Sequence, residues 1–126
     1  MQATTELTAG QLAEQYTAQD VERIVAEAKD AAQRAASVYE QEHFPNGGWG
    51  ACGFAWVNIY GIKGNTKIGK RFALAGVRKD YTGALQIWNP SQYPTQNVDT
   101  LEAGARAAAK VLERYGFRAY AGSRLD

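Results

Sequence analysis

The chain has 126 residues, of which 45% are hydrophobic and 21% are charged, with one cysteine and a formal net charge of +1. This size and balance are typical of a single globular domain spanning residues 1–126, and the small net charge excludes a protein that is basic over its whole surface. One cysteine excludes an internal disulfide, and the polar stretch 1–10 does not resemble a signal peptide. No apolar run approaches the roughly 20 residues that cross a bilayer, so we expect a cytoplasmic protein without a membrane partner.

Two successive helices are predicted at residues 9–16 and 18–43. Thr8 with Gln11, and Thr17 with Asp20, have the spacing of capping boxes. The longer helix carries one apolar stripe rich in alanine, made of Val21, Ile24, Val25, Ala28, Ala32, Ala35 and Tyr39. This helix is about 39 Å long at 1.5 Å per residue, roughly twice the length of a short strand. The stripe either packs within its own domain or extends beyond the sheet, where it predicts a homo-oligomer, with a dimer favoured.

A glycine-rich loop at residues 45–50 ends the long helix, and its Trp49 is a candidate for contact with a flat ligand. The next segment, 53–60, alternates in a way that predicts a strand, with Trp56 and Tyr60 on one face.

The stretch that follows this strand, 60–71, combines glycines with positive charge. Asn65 or Thr66 can cap a short helix over 66–75, and glycines before a helix N-terminus favour an anion. The candidate anion-binding side chains are Lys63, Asn65, Thr66, Lys67, Lys70 and Arg71. The spacing of a Walker loop is absent. Because Gly69 weakens the helix, a second strand over 67–77 is the alternative.

The remaining elements are a strand at 84–88, a loop at 89–97, a helix at 100–115 capped by Asp99 with Glu102, and a strand at 117–121. The order α-α-β-α-β-α-β predicts an α/β fold, with an α+β fold as the alternative. It would consist of N-terminal helices over about 9–43 and a core over about 53–122, with a three-stranded sheet and two crossover helices. Helical crossovers favour parallel strand pairing.

Alternation gives this sheet two different faces. One is apolar and should be covered by the helices 66–75 and 100–115; it holds Ala55, Val57, Ile59, Leu85, Ile87, Ala119 and Ala121. The other is aromatic with polar tips and holds Trp56, Asn58, Tyr60, Gln86, Trp88, Arg118 and Tyr120. Such a face either stacks nucleic-acid bases or is covered by the helix 18–43.

Catalytic signatures are weak in this sequence. Cys52 and His43 form the only possible thiol–imidazole pair, so a cysteine-dependent enzyme is the second alternative function. One His and one Cys do not supply the usual ligand clusters of a metal site. We therefore expect no enzyme activity, no metal and no cofactor.

Three stretches resemble small bacteriophage-encoded accessory proteins of the host-takeover or counter-defence kind: 63–70 (KGNTKIGK), 87–91 (IWNPS) and 119–126 (AYAGSRLD). The resemblance covers about the last 75 residues and carries over no site residue. It implies a non-enzymatic protein that acts by binding, in the host cytoplasm if it is phage-encoded.

The residues themselves predict a binding protein for a phosphate-bearing ligand, either a nucleotide or single-stranded nucleic acid. The basic stretch would hold phosphate, and Trp49, Trp56 or Trp88 would stack on a base. The first alternative is a protein-interaction module that inhibits a host protein through the N-terminal helices or the 89–97 loop.

Overall fold

The structure is a computed structural model that describes residues 7–48 and 50–126. In chain order its elements are α1 (Ala9–Gln15), α2 (Ala18–His43), β1 (Gly53–Tyr60), α3 (Lys67–Leu74), β2 (Arg78–Lys79), β3 (Leu85–Trp88), α4 (Val98–Arg114) and β4 (Arg118–Leu125).

Local hydrogen-bonding residues set the helix starts. Thr8 and Thr17 each accept a bond from the third residue of their helix, and both capping boxes are complete. Thr66 caps α3 by accepting from Gly69 N at 3.1 Å, so the helical reading of 66–75 is confirmed and the strand alternative is wrong. A β-carbon on Gly69 would collide with the carbonyl oxygen of Lys63, which explains a glycine inside this helix.

The predicted capping of the last helix is wrong. α4 begins one residue before Asp99, and its N-cap position is taken by Asn97 without a side-chain capping bond. The Asn97 amide is used elsewhere, because its Oδ1 accepts from Gly50 N at 2.6 Å. It thereby ties the loop after α2 to the start of α4.

The fold class is α+β, and the predicted parallel, three-stranded sheet is wrong. All four strands pair antiparallel in the order β2-β3-β1-β4. Each helical crossover still joins strands of the same direction, but one antiparallel strand lies between them: β3 separates β1 from β2, and β1 separates β3 from β4. β2 was missed because it has only two residues and both are charged and exposed.

The helices form layers on one side of the sheet. α4 lies against β1 and β4, while α2 packs on α4 and α3. Gly104 permits the close crossing of α2 and α4, because a methyl group there would lie 3.0 Å from Ala32 O and 2.8 Å from Ser91 Cβ. The alternative in which α2 covers the aromatic sheet face is therefore wrong.

Much of the alanine stripe of α2 packs into the hydrophobic core of its own chain. Ala28 and Ala32 are 0% exposed, and they share one core with residues of α1, α4 and the sheet. This part of the predicted dimer surface is thus covered within the chain, whereas Ala35 and Tyr39 are only partly buried, and the dimer itself stays a prediction. Ala32→Glu would bury a charge in the core, so this substitution would test the fold and not a contact between two copies.

Candidate functional site

The sheet surface opposite the helices is the most unusual surface of the described chain, and we call it the aromatic face. Strand alternation and cross-strand register place its members side by side. They are Phe54, Trp56, Asn58, Tyr60, Arg78, Gln86, Trp88, Arg118, Tyr120, Gly122 and Arg124. Trp88 is 50% exposed and Tyr120 is 55% exposed, so two large rings on this side of the sheet face solvent.

Two tryptophans form the centre of one half of this face. Trp56 and Trp88 are cross-strand partners whose rings lie 5.6 Å apart and within 2° of parallel. Phe54 extends the cluster to 5.6 Å from Trp88, and the Arg124 guanidinium lies 5.4 Å from the centre of the Phe54 ring. The result is a cluster of three aromatic rings with a cation at its margin.

Two tyrosines form the other half, with an amide pair between the halves. The Tyr60 and Tyr120 rings are 5.7 Å apart. Asn58 Oδ1 accepts from Gln86 Nε2 at 3.1 Å, and Asn58 Nδ2 donates to Tyr60 Oη at 3.0 Å. Hydrogen bonds therefore fix the orientation of these amides beside the rings.

The charge of the aromatic face is positive. Among the described residues it holds three arginines, Arg78, Arg118 and Arg124, and the carboxylate at its margin is Asp80. The hydrogen bond from the Thr82 hydroxyl, followed by bonds from turn amides, holds the pKa of Asp80 below its usual value. Asp80 is thus an ionised turn residue at neutral pH, and it offsets only part of the positive charge.

The basic stretch begins beyond the Tyr60 end of β1. Its first part is the turn before α3, residues 61–66, which we call the lysine turn. Lys63, Lys67 and Lys70 are exposed, as is Asn65. Thr66 Oγ1 also donates to Lys63 O at 2.6 Å, which closes the turn. Lys79 from β2 joins this group, since its side chain lies directly on Gly64.

Arg71, by contrast, has a structural role. Its Nη1 donates to Ala13 O and to Tyr16 O, each at 2.7 Å. These are carbonyls at the C-terminal end of α1, where a cation is favourable. Together with Lys67, Thr66 and Glu14, Arg71 lines a groove of about 400 Å³ between α1 and α3.

The predicted site residues therefore fall in two places. Trp56 and Trp88 are brought together, but four strand residues, roughly 13 Å, separate this pair from Tyr60, where the lysine turn begins. Trp49 lies outside the described residues. No role was predicted for Lys79 or Arg124 from the sequence, and the strand predicted over 117–121 ended before Arg124, although Arg118, Tyr120 and Arg124 share the alternation of one strand face.

The structure gives the alternative Cys52–His43 pair little support. Cys52 is exposed at the start of β1, where it forms a bridge with Asn97. The His43 ring stacks on Tyr39 at 4.0 Å, and its Nδ1 lies 3.0 Å from Tyr39 O. Within the described part of the chain, no group of three or more potential metal ligands occurs.

Comparisons with known proteins give no match, whether to a family model, to a curated protein or to a solved structure. Across residues 7–48 and 50–126, no helix has the length and apolar character that crossing a membrane requires. The geometry of the aromatic face and of the lysine turn is therefore what indicates a function.

Proposed function

We propose that this protein is a non-enzymatic binding protein for a phosphate-bearing ligand, a nucleotide or single-stranded nucleic acid, whose bases stack on the aromatic face. The observation that carries the proposal is the pair of parallel indoles, the half-buried Trp56 and the exposed Trp88, on a sheet face that also holds three arginines. Bases of any sequence have a flat apolar surface that stacks on such rings, and their phosphates need cations nearby.

The exposure of this face supports a binding role. Folding normally removes rings of this size from water, and contiguous exposed apolar patches mark binding surfaces. Helices cover only the opposite side of the sheet, where Val57, Ile59 and Leu85 are at most 1% exposed. The aromatic face is therefore left open by the arrangement of α2 and α4, and a ligand would cover what the chain does not.

The expected affinity and its salt dependence follow from the aromatic and the arginine side chains of this face. Stacking on an aromatic residue contributes about 1–3 kcal/mol per base. Three arginines that each neutralise one phosphate would give a slope of log K against log salt of about −2 for a single strand. We therefore expect binding that weakens with salt but persists at moderate ionic strength.

The test is a titration of tryptophan fluorescence with nucleotides and short oligonucleotides at low salt. We expect quenching on binding, and a loss of about 5- to 150-fold in affinity for Trp88→Ala, because about 1–3 kcal/mol of stacking is removed. Leu74→Ala is the matched control, since Leu74 is 79% exposed but lies on α3, away from the face. Absence of any response to all ligands would refute the proposal.

The inhibitory interaction module, the phage origin and the cytoplasmic location stay predictions of the sequence. Of the contact surfaces expected for such a module, the 89–97 loop is partly used for packing, because Pro90 and Ser91 are buried against the helices. The aromatic face is the stronger candidate for any contact with a partner.

A further inference from the structure

A shallow groove between α2 and α4 lies on the helical side of the molecule. Partly buried side chains form its floor: Ala35 and Tyr39 from α2, and Ala103 and Ala107 from α4. Val38 of α2 also lines the groove, and it is 51% exposed. Single apolar residues are common on protein surfaces, so these contacts alone do not indicate what covers the groove.

The charges beside Val38 have opposite signs on its two sides. Arg34 precedes Val38 by four residues and Glu42 follows it by four, so the three side chains lie in one row along α2. Both charged side chains are exposed and line the groove. Among the residues that the structure describes, neither of them forms an ion pair within the chain. In order, the row is a cation, an apolar side chain and an anion at equal spacing.

This order of charges is complementary to itself. When two copies of α2 lie antiparallel with a two-fold axis at Val38, residue 34 of each copy faces residue 42 of the other. Arg34 then meets the Glu42 of the second copy, and the symmetry makes this pair twice. A parallel contact in register would instead place Arg34 on Arg34 and Glu42 on Glu42, and like charges repel. The charges therefore select one occupant and one direction.

The small side chains of the groove leave room for this contact. The axes of packed helices are about 8–10 Å apart, and the distance depends on the side chains between them. Ala35 and Ala103 lie beside Val38 in the groove, so a second valine can pack there. Ion pairs between exposed side chains contribute little energy, so they set the register while the apolar contact supplies most of the attraction.

We infer that two copies of this chain associate through the α2–α4 groove, with antiparallel α2 helices, Val38 at the two-fold axis and two Arg34–Glu42 pairs between the copies. The contact uses a flank of α2 next to the predicted stripe, because Ala28 and Ala32 of that stripe are buried in their own core. The inference goes beyond the proposed function and does not depend on it, since the aromatic face lies on the other side of the sheet and stays open in the dimer.

The first experiment reverses one charge at a time and measures the mass in solution by analytical ultracentrifugation at micromolar concentrations. Arg34→Glu and Glu42→Arg each place like charges opposite each other twice, so we expect each to raise the dimer dissociation constant about tenfold or more. An equimolar mixture of the two variants should associate again, because every contact between unlike chains then joins opposite charges. The control is Glu22→Arg, an exposed charge roughly 160° around the same helix from Val38, which should dimerise like the unmutated protein.

A second experiment locates the axis. In an antiparallel contact, a residue meets its own copy only at the two-fold axis. Val38→Cys in a Cys52→Ser background should therefore form a disulfide between chains under mild oxidation, because two cysteines can be joined only when their Cα atoms are within about 7 Å. Gln33→Cys in the same background is the control, since this exposed position is roughly 140° around α2 from Val38 and should not cross-link.

The outcomes are distinct. An unmutated protein that is monomeric at all these concentrations overturns the inference, as does a dimer that tolerates both charge reversals. A mixture of the two variants that stays monomeric shows that Arg34 and Glu42 do not face each other. A dimer without the Val38→Cys cross-link places the axis elsewhere. Circular dichroism melts establish that each variant is folded. Binding of short oligonucleotides should be unchanged in the charge variants, so the failure of one proposal leaves the other standing.

Discussion

At the scale of single residues, Gly122 determines the form of the tryptophan pair. It is the cross-strand partner of Trp56, and a methyl group at this position would lie 2.5 Å from Trp56 Nε1 and 2.7 Å from Cε2. The edge of the Trp56 indole from Nε1 to Cζ2 therefore lies directly over Gly122 of β4, and the ring stays parallel to that of Trp88. A larger residue would push the indole out of this orientation.

We expect Gly122→Ala to disturb the stacked pair while the fold persists, because an indole can rotate away where a backbone cannot. Overpacking of this kind typically lowers the free energy of unfolding by about 1–3 kcal/mol. The near-ultraviolet circular dichroism signal of the two indoles should decrease, and the affinity for short oligonucleotides should decrease as well. Unchanged spectra and affinity would show that the ring does not depend on Gly122.

At the scale of elements, the crossing of α2 and α4 determines which side of the sheet stays open. α4 places Gly104 against Ala32 of α2, so the two backbones approach closely, and α2 is held in the helical layer. The same contact involves Ser91, which is 2% exposed and fixes the loop after β3.

Two glycine-to-alanine substitutions in helices should have opposite effects. In Gly104→Ala the new methyl group meets Ala32 O and Ser91, so we expect a loss of about 1–3 kcal/mol in the free energy of unfolding. In Gly10→Ala of α1 the nearest atom is Thr8 Oγ1 at 3.9 Å, so alanine's helix propensity should add up to about 1 kcal/mol. Urea denaturation measures both, and a stabilising Gly104→Ala would contradict the close packing described above.

The sequence could predict the elements better than their arrangement. Thr8, Thr17 and Thr66 act through bonds to residues three positions away, so their caps are readable locally. The position of β1 between β3 and β4 depends on contacts between distant segments, so it cannot be predicted from the pattern of neighbouring residues. Asn97 shows the same limit, since its amide serves Gly50 rather than its own helix.

The candidate site was predictable in its residue types and only in part in its grouping. Strand alternation placed Trp56 and Trp88 on one face, and that grouping is confirmed by their pairing. The lysines were grouped with the tryptophans because they are close in sequence, whereas the length of β1 separates them. Arg71 was assigned to a ligand from its charge, but the carbonyls of Ala13 and Tyr16 receive its hydrogen bonds.

At the scale of the whole molecule, two tyrosines connect distant parts of the chain. Tyr16 Oη donates to Tyr115 O, and Tyr115 Oη donates to the Glu27 carboxylate, each at 2.6 Å. Burial, with a smaller effect of Asp20, raises the pKa of Tyr16. The hydrogen bond to Glu27 is the main cause of the raised pKa of Tyr115.

These shifts predict a loss of stability at alkaline pH. In the unfolded chain the two hydroxyls ionise near pH 10, whereas the folded chain keeps its protons to higher pH. The two hydroxyls therefore make their full contribution to the free energy of unfolding below about pH 10. That contribution is lost as the pH rises through their raised pKa values in the folded chain. Tyr115→Phe should make urea midpoints fall less steeply between pH 9 and 11.5, and Tyr81→Phe, at a fully exposed position, should not. Parallel curves for all three proteins would contradict the assignment.

The position of β4 as the outer strand has one more consequence, which concerns aggregation. The opposite margin of the sheet is β2, which is short and cationic, whereas β4 offers an eight-residue edge. Two copies that joined these edges antiparallel about Ala121 would place Arg118 opposite Arg124 twice. Like charges directly opposite each other destabilise such pairing, so the two arginines of β4 that lie on the aromatic face also protect the edge from forming a continuous sheet between molecules.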